Sequence, residues 1–401
     1  MNSIIDVKYF LFLAYLALLS MLGFIATDMY LPAFKAIETS FGASSSHVAM
    51  SLTSFLAGLA LGQLLYGPLV QRMGKRGALI LGLVIFGLAS FWLASSETML
   101  SFNIARFFQA LGACSAGVIW QAIVIEKYDA EKAQGVFANV MPLVALSPAL
   151  APILGAFLLN ITGWEGIFFT LTGLAIALIL LTLVLVPSDK HLKGTVKPKN
   201  ISYCSILKNH RYLGNVLIFG ACSGAFFAYL TLWPIVMEQH GFAATEIGLS
   251  FIPQTVMFIV GGYASKIGIR KLGAEKALKV LLTLFAVCVM GIAVCTLVFT
   301  GLSLYPLLII FSVLAAANGA IYPIVVNSAL QEFSDNAAKA AGLQNFIQIS
   351  ISFGASSIVA MWAAKGEMAI GVGISICGLL VLAAYKLRSY KGKRDLAAVA
   401  S

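Results

Sequence analysis

Apolar residues run through this chain in long, nearly unbroken stretches separated by short polar segments. About 20 such residues cross the hydrocarbon of a bilayer as a helix. On that scale the chain offers twelve spans, at 9–32, 46–69, 77–96, 98–125, 133–160, 165–187, 212–237, 246–265, 279–300, 304–330, 340–364 and 367–387. The pattern predicts an all-α membrane protein. The longest polar segment, 188–211, lies near the midpoint, so six spans in 1–187 face six in 212–388, followed by a tail at 389–401. Six and six predicts two pseudo-symmetric halves. Gly67, Arg72, Gly74 and Arg76 are echoed 194 residues later by Gly261, Lys266, Gly268 and Arg270, and Pro32 has a counterpart in Pro234.

Charge sharpens this picture. Only 10% of the residues are charged, against roughly 25% in soluble domains. With the first residues placed in the cytoplasm, 23 of the 26 basic residues fall in cytoplasmic segments, Lys35 and Lys365 fall outside, and Arg106 lies within a span. Such asymmetry predicts cytoplasmic termini. It also accounts for the net charge of +10 without a nucleic-acid partner, while implying attraction to anionic lipid. The first apolar run, from Tyr9, has only Lys8 as a basic flank and no small-residue cleavage site, and reads as a retained helix.

Six cysteines form no CxxC pair, and the four histidines sit at loops or span ends. Neither set predicts a metal or other cofactor. The absence of a midspan nucleophile and base argues against an enzyme, and the absence of a G-x-x-x-x-G-K-[ST] loop argues against ATP as the energy source.

Two charges stand where a bilayer belongs. Asp28 ends the first span and Arg106 lies in the fourth. An intramembrane carboxylate needs a cation or water, and similar depths predict that the two pair. A carboxylate alternating between pairing and isolation can take up and release a proton, which makes Asp28 and Arg106 the candidate proton-coupling residues.

The loop Gly67-Pro-Leu-Val-Gln-Arg-Met-Gly-Lys-Arg76 resembles the signature loop of the major facilitator superfamily, G-x-L-x-D-R-x-G-R-R. Gln71 stands in place of the usual Asp. The resemblance implies a conformational role for Gly67, Gln71, Arg72 and Gly74, and puts in doubt the charge relay that the Asp joins. Arg106, Gln109 and Gly112 resemble the family's R-x-x-Q-G motif in span four. In span five, Pro148 and Pro152 are four residues apart, which predicts a kink or gate. The run Thr27-Asp-Met-Tyr-Leu-Pro-Ala-Phe34 is similar to the Bcr/CflA drug-resistance branch, where that Asp is implicated in proton coupling.

Tyr30, Trp120, Gln121, Tyr229, Gln254, Asn318, Tyr322 and Asn345 place polar and aromatic groups inside the spans. Amides there tend to face a bundle interior. Together they suit a flat heterocycle and are the candidate substrate contacts. Ile119-Trp-Gln-Ala122, Ala221-Cys-Ser223 and the run from Asn318 to Val326 resemble purine nucleoside transporters of that branch. The resemblance implies a monomeric, proton-coupled carrier of purine nucleosides in the bacterial inner membrane. The rival expectation is proton-driven multidrug efflux.

Overall fold

The computed structural model describes residues 2–43, 45–144, 146–187, 201–242, 244–298 and 304–390; the side chains of 2–8, 45, 46, 49, 148, 149, 244 and 245 are outside the description. Most of the expected central loop, 188–200, and of the tail, 391–401, lies outside the described residues.

The chain is all-helical. Helix α1 (Asn2–Asp28) is followed by a short 3-10 turn at Leu31–Ala33, because Pro32 lacks the N–H that would continue the helix. Then come α2 (Phe34–Phe41), α3 (Ser45–Ala94), α4 (Met99–Lys127), α5 (Ala130–Val144) and α6 (Ser147–Leu185). A short α7 (Tyr203–Leu207) leads to α8 (His210–Gln239), α9 (Ala244–Ser250), α10 (Ile252–Leu272) and α11 (Ala274–Ala293). Last are α12 (Tyr305–Gln331), α13 (Ala337–Met361) and α14 (Glu367–Ser389).

Nine helices among the described residues are long and apolar enough to cross a membrane. Two of them turn back at glycine. Gly74 (φ 78°) divides α3 into spans two and three, and Gly163 (φ 75°) divides the end of span five from span six within α6. Both adopt a backbone that a side chain disfavours. The remaining expected span is α13, whose Gln344, Asn345, Gln348 and several serines dilute its apolar character. Counting both arms of each folded helix and adding α13 recovers all twelve. Leu88, Phe157, Val184, Met361 and Leu379 are among the exposed side chains, an apolar surface that suits lipid.

Packing divides the chain into two compact units. The first comprises Met1–Asp129, Leu143–Asn200 and Ser334–Phe346. The second comprises Ala130–Pro142, Ile201–Phe333 and Ile347–Ser401. Most of α5 therefore packs with helices of the later sequence: Asn139 accepts a hydrogen bond from Lys266, and Asn327 donates to Ala130 O at 2.9 Å. Conversely, the start of α13 packs on α3 in the first unit.

In the first unit Gly155 of α6 lies against Met29, the residue after α1. A Cβ there would meet the Met29 carbonyl carbon at 2.7 Å. Overpacking such a contact costs about 1–3 kcal/mol. Gly155→Leu is expected to lower the melting temperature of the purified protein and its transport rate together, because the displaced backbone adjoins Asp28. A variant with wild-type melting and transport would show that this crossing tolerates separation.

The repeat register differs from the sequence echo. Gly268 lies inside α10, and the positive-φ glycine after span eight is Gly273 (φ 76°), 199 residues after Gly74. Ser51 and Ser250, which play matching roles described below, are also 199 apart. Glycine and basic residues are frequent enough here to match at two registers, and the turn geometry selects the second.

Candidate functional site

Arg106 is the centre of the first unit. Its side chain is 0% exposed. Nη1 donates to Ala26 O at 3.1 Å and to Gln109 Oε1 at 2.6 Å. The guanidinium carbon lies 3.9 Å from the Tyr30 ring centroid and 4.4 Å from that of Phe55. Aromatic faces attract a cation, strongly so when both are desolvated. A chain of hydrogen bonds fixes the assembly: Gln109 Nε2 donates to Ser90 Oγ, and Ser90 Oγ to Phe86 O. Tyr30 shares a hydrogen bond with Ser51, which bonds back to Val48 O.

The expected ion pair is not formed. Among the described residues Arg106 has no carboxylate partner, and its Nε and Nη2 are buried without a hydrogen bond. Asp28 is half-buried at the last residue of α1 and makes no side-chain hydrogen bond or ion pair among the described residues. The carbonyl of Ala26, one helical face away, takes the place expected for the carboxylate. Tyr30, expected to contact substrate, is instead buried beneath Arg106 as a packing platform.

The second unit holds an uncharged version of this junction. Trp233, ahead of Pro234, donates from Nε1 to Ser250 Oγ at 2.9 Å, and Ser250 bonds back to Ile247 O. Phe311 stands against Trp233 at 5.5 Å between centroids, as Arg106 stands over Tyr30. One half keeps a cation where the other keeps a phenyl ring.

The amides assemble within their own units. In the first, Gln121 Nε2 donates to Asn345 Oδ1 at 3.3 Å, Gln344 Nε2 donates to Gln121 Oε1 at 3.3 Å, and Asn345 Nδ2 donates to Gly117 O at 3.3 Å. Trp120 is buried on the same helix. In the second, Gln254 Nε2 donates to Tyr229 OH at 2.8 Å, and both residues are buried. Asn318 donates to Cys222 O at 3.2 Å, while the Tyr322 ring meets Phe219 and Phe258 edge-on. Gln254 Oε1, Asn318 Oδ1 and Gln344 Oε1 are buried with no partner. Buried orphans of this kind cost about 1–3 kcal/mol each.

The loop after span two is tied at three points. Gln71 Nε2 donates to Asn336 Oδ1 at 2.6 Å, just ahead of α13. Lys75 pairs with Glu126, and Arg76 donates to Val186 O at the end of α6. Arg72 is exposed, with no side-chain partner among the described residues. Gly67 lies against α13, where a Cβ would stand 2.7 Å from Lys339 Cα. Pro152 sits inside α6, and the side chain of Pro148 lies outside the described residues.

Phe55, Ser51, Ser90 and Phe311 escaped the sequence reading. A single phenylalanine or serine in an apolar helix carries no distinguishing signal.

Residues 16–357 match the family model described as Major Facilitator Superfamily. The chain belongs to that superfamily. It is therefore a multi-pass secondary transporter rather than an enzyme. It is 24% identical over 365 residues to a bicyclomycin resistance protein homolog of Haemophilus influenzae, covering 90% of each chain. It is 26% identical over 377 residues to the multidrug transporter MdfA of Edwardsiella piscicida, covering 90% of this chain and 89% of the other. Among solved structures, the transporter FucP in its outward conformation aligns with a TM-score of 0.75 at 15% identity, covering 94% of this chain and 99% of that one. That likeness concerns the fold.

Proposed function

We propose that this transporter is a proton-driven exporter of varied lipophilic drugs in the bacterial inner membrane, with both termini in the cytoplasm. The observation that carries the reading is the buried Arg106, without a carboxylate among the described residues and bonded instead to the carbonyl of Ala26, two residues before Asp28. The drug-resistance names of the two relatives favour drugs over purines as cargo. Asp28 takes a proton in the state where it stands alone and releases it when a rearrangement brings the Arg106 cation to it. The energy comes from the proton gradient, and alternating access carries the drug.

Substrate contacts in this reading come from the amide groups. They are the amides Gln121, Asn345, Gln254 and Asn318, with the phenols Tyr229 and Tyr322. A broad drug pocket tolerates the loss of any one of them, whereas a nucleoside site does not, because an unpaired buried polar group is costly. Gly67, Gln71, Arg72 and Gly74, with the Pro148 and Pro152 bend, serve the conformational change. The protein works as a monomer in contact with anionic lipid.

The test is transport by the purified protein in proteoliposomes under an imposed proton gradient, with ethidium, tetraphenylphosphonium, adenosine and inosine offered separately. Gradient-driven movement of both dyes with no movement of nucleosides is the expected result. Movement of nucleosides alone would replace drug efflux by the purine reading.

A further inference from the structure

One polar cluster of the second unit lies outside everything assigned above. Ser223 of α8 faces Gln348 and Ser352 of α13. Gln348 Nε2 donates to Ser223 Oγ at 2.6 Å and to Ser352 Oγ at 3.4 Å, and Ser352 Oγ donates to Ser223 Oγ at 2.9 Å. Both serines are buried, at 4% exposure each.

This arrangement uses the donors of Gln348 and leaves its acceptor free. Both N–H groups of the amide point at serine oxygens, and Ser352 in turn donates to Ser223, so the side chain is held in one orientation. Its carbonyl Oε1 has no partner among the described residues and is not among the buried unsatisfied atoms. It is therefore open to an incoming group. Relative to the apolar exterior of α13, at about 100° per residue, Gln348 lies about 80° round the helix from Ile358 and about 140° from both Phe353 and Met361. Those two are 64% and 75% exposed.

A pinned amide with only its oxygen on offer accepts hydrogen bonds and donates none. It selects molecules with N–H or O–H groups over molecules of similar size and charge without them. Holding the group in place beforehand increases that selectivity, because little freedom is lost on binding.

We propose that Gln348, positioned by Ser223 and Ser352, is a specificity-determining hydrogen-bond acceptor for substrates bearing amine or hydroxyl donors. The inference rests on the drug-export reading above. It adds a division within the substrates: donor-bearing compounds depend on Gln348, and donor-free ones do not.

The experiment compares ethidium, a cation with aromatic amines, and tetraphenylphosphonium, a cation without donors, in proton-driven proteoliposome transport. For Gln348→Leu the half-saturating ethidium concentration is expected to rise roughly ten-fold, the effect of one lost hydrogen bond to a ligand. Tetraphenylphosphonium should stay within about two-fold of wild type. Gln348→Glu keeps an acceptor and is expected to retain ethidium transport. Ser223→Ala releases the amide and should give an intermediate ethidium defect. Equal losses for both dyes in Gln348→Leu would reduce the cluster to a packing role and overturn the proposal, as would unchanged ethidium transport. If the wild type moves neither dye, the export reading fails and this inference fails with it.

Discussion

Proteoliposomes carrying Asp28→Asn are expected to lose gradient-driven drug transport by roughly two orders of magnitude, the scale on which a positioned proton-transfer group acts. Exchange of drug down its own gradient should persist. The substitution keeps the size of the side chain and its place at the end of α1. It removes the carboxylate charge and with it the capacity to bind and release a proton. Because Asp28 is half-buried and without a side-chain partner among the described residues, stability should change by no more than about 0.5 kcal/mol. Proton-driven transport at wild-type rate in Asp28→Asn would remove Asp28 from the coupling scheme.

Arg106→Met should separate stability from function in the opposite sense. A buried cation costs several kcal/mol unless it is paired. Here the offsets are two hydrogen bonds from Nη1 and the faces of Tyr30 and Phe55, while Nε and Nη2 remain orphaned. Methionine keeps an unbranched apolar stem and introduces no charge. The variant is expected to unfold at a higher temperature, by about 1 kcal/mol of added stability, yet to transport as poorly as Asp28→Asn. A double variant should be no worse than either single one, because residues acting as a unit give non-additive losses. A lowered melting temperature would mean that the aromatic clamp outweighs the burial cost, and that Arg106 is a structural cation.

The bilayer made the fold legible. Span length is imposed from outside, so runs of apolar residues marked all twelve segments, and Pro32 and Gly74 marked ends that the backbone respects. Partner choice was less legible. Asp28 and Arg106 were both visible as intramembrane charges, but the 3-10 turn at Leu31–Ala33 and the approach of α4 decide that a carbonyl, not a carboxylate, meets the guanidinium. The amides were visible as a class. That Gln121 would bond Asn345, and Gln254 bond Tyr229, depends on helix packing that no local spacing encodes. Tyr30 is hard to place for the same reason, since a tyrosine at a span end reads alike whether it lines a path or supports a buried cation.

The contact between Gln71 and Asn336 joins two neutral amides, where a carboxylate would have brought a charge. Dissolved ions weaken attraction between exposed charges over about 8 Å at physiological strength, but have little hold on a bond between uncharged dipoles. Its neighbour, the pair of Lys75 and Glu126, is open to that screening, with Glu126 more than half exposed. One short loop thus carries two fastenings that a change in ionic strength would tell apart. Raising the salt around the loop would loosen the second and leave the first as it was.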